Sequence, residues 1–416
     1  MISNSRYLLL AKLGCKMDAK YPYYEPDMQS ILLGIEKYKK ELCVIDELTG
    51  ETKLIGVLFY RNIRVYGDGT VEIETKKKSQ PFASFQEYKS RLQNAMNALY
   101  DNAKDINRIF KYGIVTTISK GYDAPCCAVI AKNVGCDTAL TFSAEGKYKD
   151  DSGVDIAKAL GYSTIIERDA DLYKKHEDYI EAYYCCNGEP GASTCLSAFD
   201  SDFSGNLVFT GDRGDSVWGA GCTNRNNEFH FIDMISHLGS SERRLWVGYI
   251  SVPMPLYGAS AWENIYEISN SHEMEGWRLN NTYDRPIPRR IIEEAGVDRG
   301  LFGIRKHGAG FFFHYDWAKR IARRMSEKSG ASFTDYIRKN KSMRLKDFPL
   351  YFRYFTITWP IYYNAVAGKC GLRRVEKYDM EKASQTVNPM GERYLIPWAG
   401  TIMTEKYKAL LKGGVN

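Results

Sequence analysis

The chain has 416 residues, of which 44% are hydrophobic, and its formal net charge at pH 7 is +6. This length is enough to bury a full core and predicts two or three folding units. The positive charge is scattered and no recognisable nucleic-acid module accompanies it, so we do not expect a nucleic-acid partner.

The cysteines and the hydropathy of the sequence indicate the cellular compartment of the protein. The ten cysteines occur without a secretory signal, which indicates a reducing compartment and predicts a cytoplasmic protein. No Cys-x-x-Cys pair occurs, which argues against a zinc ribbon or a thioredoxin-type dithiol. No apolar run reaches the roughly twenty residues of a membrane-spanning helix, so we expect no membrane partner.

The first part of the chain, residues 1–82, predicts a small β-rich N-terminal domain. Ile55–Arg61 is a candidate strand, and Ile63–Glu74 has the pattern of a β-hairpin with Gly67-Asp-Gly69 at its turn. The stretch Lys76–Pro81 is interpreted as a linker to the next domain.

Residues 83–315 predict an α/β domain, a parallel twisted sheet with helices on both faces. It begins with a helix, because apolar residues recur at helical spacing from Phe85 to Ile106. Strand and helix patterns then alternate, which is typical of a sheet that binds its ligand beyond the carboxyl ends of its strands. The alternating segments are the strands Gly113–Ile118, Thr138–Phe142, Ser163–Ile166 and Asn206–Thr210, and the helices Pro125–Val134, Val154–Leu160 and Leu172–Tyr183.

The most informative stretch, Ser119-Lys-Gly-Tyr-Asp123, lies between the first of these strands and its helix. Backbone N–H groups of such a turn and of a helix N-terminus favour an anion. An acidic residue inside an anion-binding turn makes best sense if a divalent cation joins Asp123 to phosphate oxygens. The stretch is not a Walker motif, because it does not end in Gly-Lys-Ser/Thr.

A later strand also runs directly into a turn rich in Gly and Asp, Thr210-Gly-Asp-Arg-Gly-Asp-Ser-Val-Trp-Gly219. Its Asp215 is expected at the same edge of the sheet as Asp123. Two carboxylates on neighbouring loops suit magnesium bound to pyrophosphate. Either loop alone is an ordinary strand-to-helix turn, but the two together favour a nucleotide site.

These stretches resemble a known superfamily. Ser119-Lys-Gly-Tyr-Asp-Ala124 is similar to the Ser-Gly-Gly-x-Asp-Ser signature of the PP-loop ATP pyrophosphatases, which are also called adenine nucleotide α-hydrolase-like proteins. Thr210–Gly219 resembles the Ser-Gly-Glu-Gly-Ala-Asp-Glu-Leu-Phe-Gly element of the synthetase domains of asparagine synthetase and β-lactam synthetase. Three further stretches, Glu273–Arg278, Tyr283–Gly296 and Phe302–Lys306, resemble the substrate end of the same domains.

The resemblance implies an adenylating ligase that binds ATP and Mg²⁺. A carboxylate or carbonyl oxygen of a small-molecule acceptor attacks the α-phosphorus, pyrophosphate leaves, and a nitrogen nucleophile then displaces AMP. The implied sites are Ser119, Lys120, Gly121, Tyr122, Asp123, Gly211 and Asp212 for ATP and pyrophosphate, Asp123 and Asp215 for magnesium, Lys306 and Arg305 with Asp123 for catalysis, and Glu275 and Arg278 at the substrate end.

The chain departs from the family pattern in ways that keep alternatives open. Ala124 replaces the final Ser of the signature, Arg213 replaces a Gly, and Met1-Ile-Ser3 lacks the glutaminase Cys at position two. Nitrogen would therefore come from free ammonia, a substrate amine or an ammonia-donor protein. One alternative is sulfur transfer to a thioamide or thionucleobase, and another is non-catalytic binding of ATP or AMP.

Two adjacent cysteines bear on the sulfur alternative. Cys126 and Cys127 are expected on the first turn of the helix after the loop, where the helix dipole lowers the pKa of a thiol, so they are candidates for sulfur relay, with or without a sulfur-donor protein. The competing interpretation is that both are small residues packed under the sheet.

Residues 316–416 predict a helical, aromatic-rich C-terminal extension packed on the synthetase domain. Trp317–Lys328 has the pattern of a basic amphipathic helix, and Phe348–Tyr363 is dense in aromatic residues. We interpret the aromatic run as core, with an aromatic substrate pocket or a homodimer surface as the alternatives.

Overall fold

The computed structural model describes most of the chain. The described residues are 1–33, 37–59, 61–75, 77–143, 151–175, 180–186, 190–221, 240–304, 316–341, 348–373, 375, 386–389 and 391–413. The strands are β1 Cys15–Lys16, β2 Glu41–Asp46, β3 Thr52–Gly56, β4 Arg61–Val65, β5 Val71–Thr75, β6 Gly113–Thr117, β7 Thr138–Phe142, β8 Thr164–Arg168, β9 Asn206–Thr210 and β10 Ile250–Pro253. The α-helices are α1 Arg6–Leu13, α2 Tyr24–Gln29, α3 Phe85–Lys104, α4 Asp123–Val134, α5 Val154–Ala159, α6 Asp200–Phe203, α7 Gly214–Val217, α8 Ser241–Val247, α9 Trp262–Ser269, α10 Pro286–Glu294, α11 Ala318–Ala322, α12 Glu327–Asn340, α13 Phe348–Cys370 and α14 Leu395–Lys412.

Strands β6 to β10 form a five-stranded parallel sheet in the spatial order β10-β9-β6-β7-β8. Successive side chains alternate between two buried faces. Ile114 joins the core that includes α3 and α4, whereas Val115 joins a smaller core on the other face, and Leu207 and Val208 divide in the same way. Because both faces are covered, the strands are almost continuously apolar, and this confirms the predicted α/β sheet with helices on both faces.

Helix α3 confirms the long helix that the apolar spacing predicted. Ser84 caps its start, since the Ser84 hydroxyl accepts a hydrogen bond from the Glu87 N–H at 3.2 Å. Tyr88 lies on the buried face of α3, and its hydroxyl accepts a hydrogen bond from Trp218 Nε1 at 2.8 Å. This bond fixes the segment after β9 against α3.

Two predicted elements differ in the structure. The helix predicted over residues 172–183 is replaced by the two 3₁₀ segments Ala170–Lys175 and Ile180–Cys185. Apolar residues of these segments are buried against other parts of the chain. The spacing of apolar residues alone does not distinguish burial in short 3₁₀ turns from burial on one face of a long helix. The strand predicted over residues 55–61 is also wrong in extent, because β3 ends at Gly56 and β4 begins at Arg61.

Residues from both ends of the chain build a second core. Helix α1 packs on α14, so that Tyr7 and Leu10 lie in one cluster with Trp398 and Met403. The antiparallel sheet β1-β2-β3 joins the same cluster through residues such as Leu42. The N-terminal residues therefore share their core with the helical C-terminal region.

The hairpin β4-β5 confirms the predicted hairpin around Gly67-Asp-Gly69. No helix in the described ranges is both long enough and apolar enough to cross a membrane.

Candidate functional site

The strand order changes direction between β6 and β9. From β6 the sheet continues through β7 and β8 on one side, while β9 and β10 are added on the other side. Connections that leave two such strands diverge and open a crevice at the carboxyl ends, where ligands of open α/β sheets bind. Two loops flank the crevice: the first loop, residues 118–122 between β6 and α4, and the second loop, residues 211–213 between β9 and α7.

A cavity of about 300 Å³ opens at this crevice. One part of its lining, which we name the acidic rim, is polar and consists largely of residues from the two loop motifs. The other part is apolar and belongs to the smaller core. The acidic rim includes Ser119, Gly121, Asp123, Gly211, Asp212 and Asp215, and the apolar part includes Leu140, Phe142, Leu196, Phe199, Phe203 and Val208.

The lining of the cavity carries an excess of negative charge. Four aspartates and one arginine contribute to it: Asp123, Asp151, Asp212, Asp215 and Arg213. Such a lining repels a bare phosphate and favours a cation or a cation-bound phosphate.

The donor set of the cavity fits magnesium, which binds through one or two carboxylates plus substrate phosphates. Asp123 is the first residue of α4, and Asp215 is the second residue of α7. Both line the same cavity. Within the described ranges, no group of three or more His, Cys, Asp or Glu side chains is arranged to hold a metal on its own.

Two glycines allow the loops to meet. A Cβ atom on Gly211 would overlap with the backbone of Asp123 and Ala124, and a Cβ atom on Gly214 would overlap with the Asp123 carboxylate. Between them, Arg213 adopts a left-handed conformation with φ of 72°. The glycines of the second motif are therefore required for the two loops to approach each other.

Arg285 is a site residue that the sequence did not single out. Its Nε lies 3.3 Å from Asp123 Oδ1, and its Nη1 donates to the Asp215 carbonyl at 3.5 Å. Through these two contacts the buried guanidinium of Arg285 joins the start of α4 to the start of α7. The signal that could have found it is its position in the stretch Tyr283–Gly296, directly before the proline that opens α10.

The first loop holds its backbone donors within the protein. The Lys120 N–H is shared between the Asp151 carbonyl at 3.3 Å and the Asp151 Oδ1 at 3.2 Å. The Gly121 N–H donates to the Ser119 hydroxyl at 3.3 Å. A phosphate at this loop would have to replace Asp151 as the acceptor for Lys120.

Tyr122, predicted to bind ATP or pyrophosphate, packs away from the cavity. Its ring is buried and contacts Tyr283 and Phe302 at centroid distances of 4.9 and 5.8 Å. Gly303 lies so close that a Cβ atom there would overlap with the Tyr122 ring, and its N–H donates to the Lys120 carbonyl at 2.7 Å. The tyrosine therefore anchors the first loop to residues 283–303.

The predicted substrate-end residues lie outside the cavity lining. Arg278 Nε is 3.4 Å from Asp284 Oδ2, and Asp284 also accepts the N–H groups of Leu279 and Asn280. Arg278 thus stabilises the turn that precedes Arg285. Glu275 is exposed, and its carboxylate lies 3.8 Å from His272 Nε2.

The predicted catalytic residues Arg305 and Lys306 lie outside the described residues. The sites assigned to them by the resemblance remain predictions.

Cys126 and Cys127 are fully buried in the core between α3 and the sheet. Burial raises the pKa of both thiols well above the ordinary value, and the nearby Asp123 carboxylate raises the pKa of each further. This is opposite to the effect expected from the helix dipole, because desolvation of the thiolate outweighs the attraction of the dipole. These surroundings do not favour sulfur relay.

No protein-family model matches the chain, and no curated protein matches it significantly. The functional interpretation depends on the geometry of the cavity and on the resemblance of the loop motifs.

Proposed function

We propose that the chain is an ATP-dependent ligase that releases AMP and pyrophosphate, a member of the PP-loop ATP pyrophosphatase superfamily with asparagine-synthetase-like chemistry. One observation carries the proposal. Asp123 and Asp215 begin the helices that follow β6 and β9 and line one cavity where the strand order reverses. This is the position at which an α/β sheet binds a nucleotide.

The two parts of the cavity suit the two parts of ATP. The apolar part of the lining, with Phe199 and Phe203, is proposed to hold the base ring, and the acidic rim is proposed to hold a magnesium-bound triphosphate. When magnesium is bound, it neutralises part of the negative charge of the phosphates. Ser119 and the first loop are proposed to hydrogen-bond the phosphate oxygens that leave as pyrophosphate, with the Lys120 N–H exchanging Asp151 for a phosphate oxygen.

The proposed reaction joins a small-molecule acceptor to a nitrogen nucleophile. The acceptor's carboxylate or carbonyl oxygen attacks the α-phosphorus, the bond to the β-phosphate oxygen breaks, and ammonia or an amine then displaces AMP. Lys306 and Arg305 are proposed to neutralise charge at the α-phosphate. The nitrogen comes from free ammonia, a substrate amine or a donor protein.

The test is pyrophosphate release from ATP and magnesium, with orthophosphate release as the control. Pools of carboxylates, amides and nucleobases are screened with ammonia or sulfide. Acceptor-dependent release of pyrophosphate together with AMP supports the proposal, and sulfide dependence would redirect it to thioamide or thionucleobase formation. Asp123→Asn should abolish release, whereas Asp155→Asn, at an exposed aspartate on α5, should not.

A second candidate function, nucleotide binding without turnover, is favoured by the departures from the family signature. Ala124 replaces its final Ser, and Arg213, which replaces a Gly, adopts a left-handed conformation with φ of 72°. Tight magnesium-dependent ATP binding with no pyrophosphate release in any acceptor pool would support this candidate over the ligase.

A further inference from the structure

Helix α13, the longest helix in the described part of the chain, carries an exposed apolar stripe. Six of its residues have exposed fractions between 40% and 69% and follow one another at alternating intervals of four and three. This alternation is the spacing of positions that face a partner helix in a coiled coil. The stripe consists of Phe348, Phe352, Phe355, Trp359, Tyr362 and Val366.

Other residues of α13 are buried against the rest of the chain. Tyr354, Thr358 and Ala367 are each 1% exposed and lie on the flanks of the stripe, so the helix is anchored beside the stripe and leaves the stripe itself exposed. The aromatic run is thus core in part, and the stripe belongs to the alternative of a homodimer surface.

We propose that the stripe docks a second copy of this chain, with the two α13 helices antiparallel across a twofold axis near Ile357. In that arrangement Phe355 of one copy packs against Trp359 of the other, and Phe352 packs against Tyr362. The pairing is self-complementary along the whole stripe, as an isologous interface requires.

The area is sufficient for a dimer. Phe, Tyr and Trp each bury roughly 150–250 Å² when fully covered. Because the six stripe residues are only 40–69% exposed, they offer about half of their full areas, roughly 600 Å² per copy and about 1,200 Å² in the pair. This total reaches the lower bound of stable interfaces, and the stripe is as large as the largest apolar patches of ordinary monomers.

Charge favours the antiparallel orientation. The helix contains no acidic residue, and Lys369 follows Val366 by three positions, so it lies beside the stripe. In a parallel pair Lys369 would lie at the level of its own copy, and like charges in contact are unfavourable, whereas an antiparallel pair separates the two lysines to opposite ends of the interface. The narrow repeating spacing also favours a helix partner over a bilayer surface, which would be bound by a broader apolar face.

The experiment is sedimentation velocity over a wide concentration range. The wild-type chain should sediment as a dimer, and Phe355→Glu should raise the dimer dissociation constant by at least about tenfold. The matched control is Leu99→Glu on α3, since Leu99 is 43% exposed and Phe355 is 44% exposed. The control should remain dimeric, and circular dichroism should show both variants folded.

Mixing two variants tests the orientation. Phe355→Glu and Trp359→Lys should each be monomeric alone but should form a heterodimer when mixed, because the antiparallel pair places Glu opposite Lys and retains one native Phe–Trp contact. If either variant fails to fold, the pair Phe352→Glu and Tyr362→Lys provides the same test. A wild-type monomer at every concentration, a dimer that Leu99→Glu dissociates, or a monomer that binds anionic lipid vesicles through α13 would overturn the proposal.

Discussion

The two loops at the cavity differ in how they are held. The second loop depends on sterics, because Gly211 and Gly214 leave the space that Asp123 occupies. The first loop depends on polar and aromatic contacts, through Asp151 on one side and Gly303 on the other. The second loop is therefore a rigid support, whereas the first loop has an acceptor, Asp151, that a phosphate can replace. Changes in the two loops should have different consequences.

The largest effect is expected in the second loop, from Gly211→Ala. The added Cβ would overlap with backbone atoms of Asp123 and Ala124, which cannot move without displacing α4. We expect a loss of about 1–3 kcal/mol in unfolding free energy. ATP affinity should fall at least about tenfold because the acidic rim is distorted.

The control for this change is Gly56→Ala, because a Cβ atom on Gly56 meets nothing within 4 Å. Chemical denaturation and ATP titration measure both variants. Wild-type ATP affinity in Gly211→Ala would mean that the close approach of the loops is not needed for the site.

A similar loss of stability, but without displacement of the backbone, is expected where the two loops share a cation, in Arg285→Met. Removal of the Arg285 guanidinium leaves the Asp123 carboxylate without this cation. We expect the free energy of unfolding to fall by about 1–3 kcal/mol. Magnesium should restore part of this stability, since it supplies positive charge at the same carboxylate. Thermal unfolding with and without magnesium measures the effect.

Arg168→Met serves as the matched control, because Arg168 pairs with Asp202 at 2.8 Å and neither residue lines the cavity. Its stability should not respond to magnesium. An equal response of both variants would contradict a metal site at Asp123.

In the first loop we expect a gain, from Asp151→Ala. The substitution removes the side-chain acceptor of the Lys120 N–H and one negative charge from the cavity. A hydrogen bond of this kind contributes about 0.5–1.5 kcal/mol, so ATP should bind up to about tenfold more tightly. Calorimetric titration against Asp155→Ala measures the change. Weaker binding in Asp151→Ala would show that Asp151 itself holds the ligand.

The smallest effect is expected beneath the first loop, at Cys126 and Cys127. Burial raises the pKa of these thiols, so at mildly alkaline pH they stay protonated and shielded. Iodoacetamide should label the exposed Cys370 in the native protein and should label the buried pair only after unfolding. Rapid native labelling of Cys126, followed by mass spectrometry, would reopen sulfur relay.

Much of the fold could be predicted from the sequence. The strands Gly113–Thr117 and Asn206–Thr210 are continuous β-branched or apolar runs buried on both faces, and each ends in a glycine-containing turn. Helix α3 has one uninterrupted apolar face. Such local patterns identify an element without knowledge of its neighbours.

The parts that were missed depend on contacts between distant segments. Arg285 and Asp151 belong to the cavity only because the chain brings residues 285 and 151 beside the first motif. Tyr122 lies within the motif, but Gly303 and Phe302 draw its ring away from the cavity. Hydrophobic periodicity and short motifs describe neighbouring residues along the chain, so they do not report such long-range packing.

The most direct measurement is the calorimetric titration of ATP into the wild-type chain and into the double variant Asp123→Asn with Asp215→Asn, each with and without magnesium. The proposed site predicts that wild-type binding requires magnesium and that the double variant loses about a hundredfold in affinity or more. Equal ATP affinity with and without magnesium, or in the double variant, would contradict a magnesium–nucleotide site between the two loops.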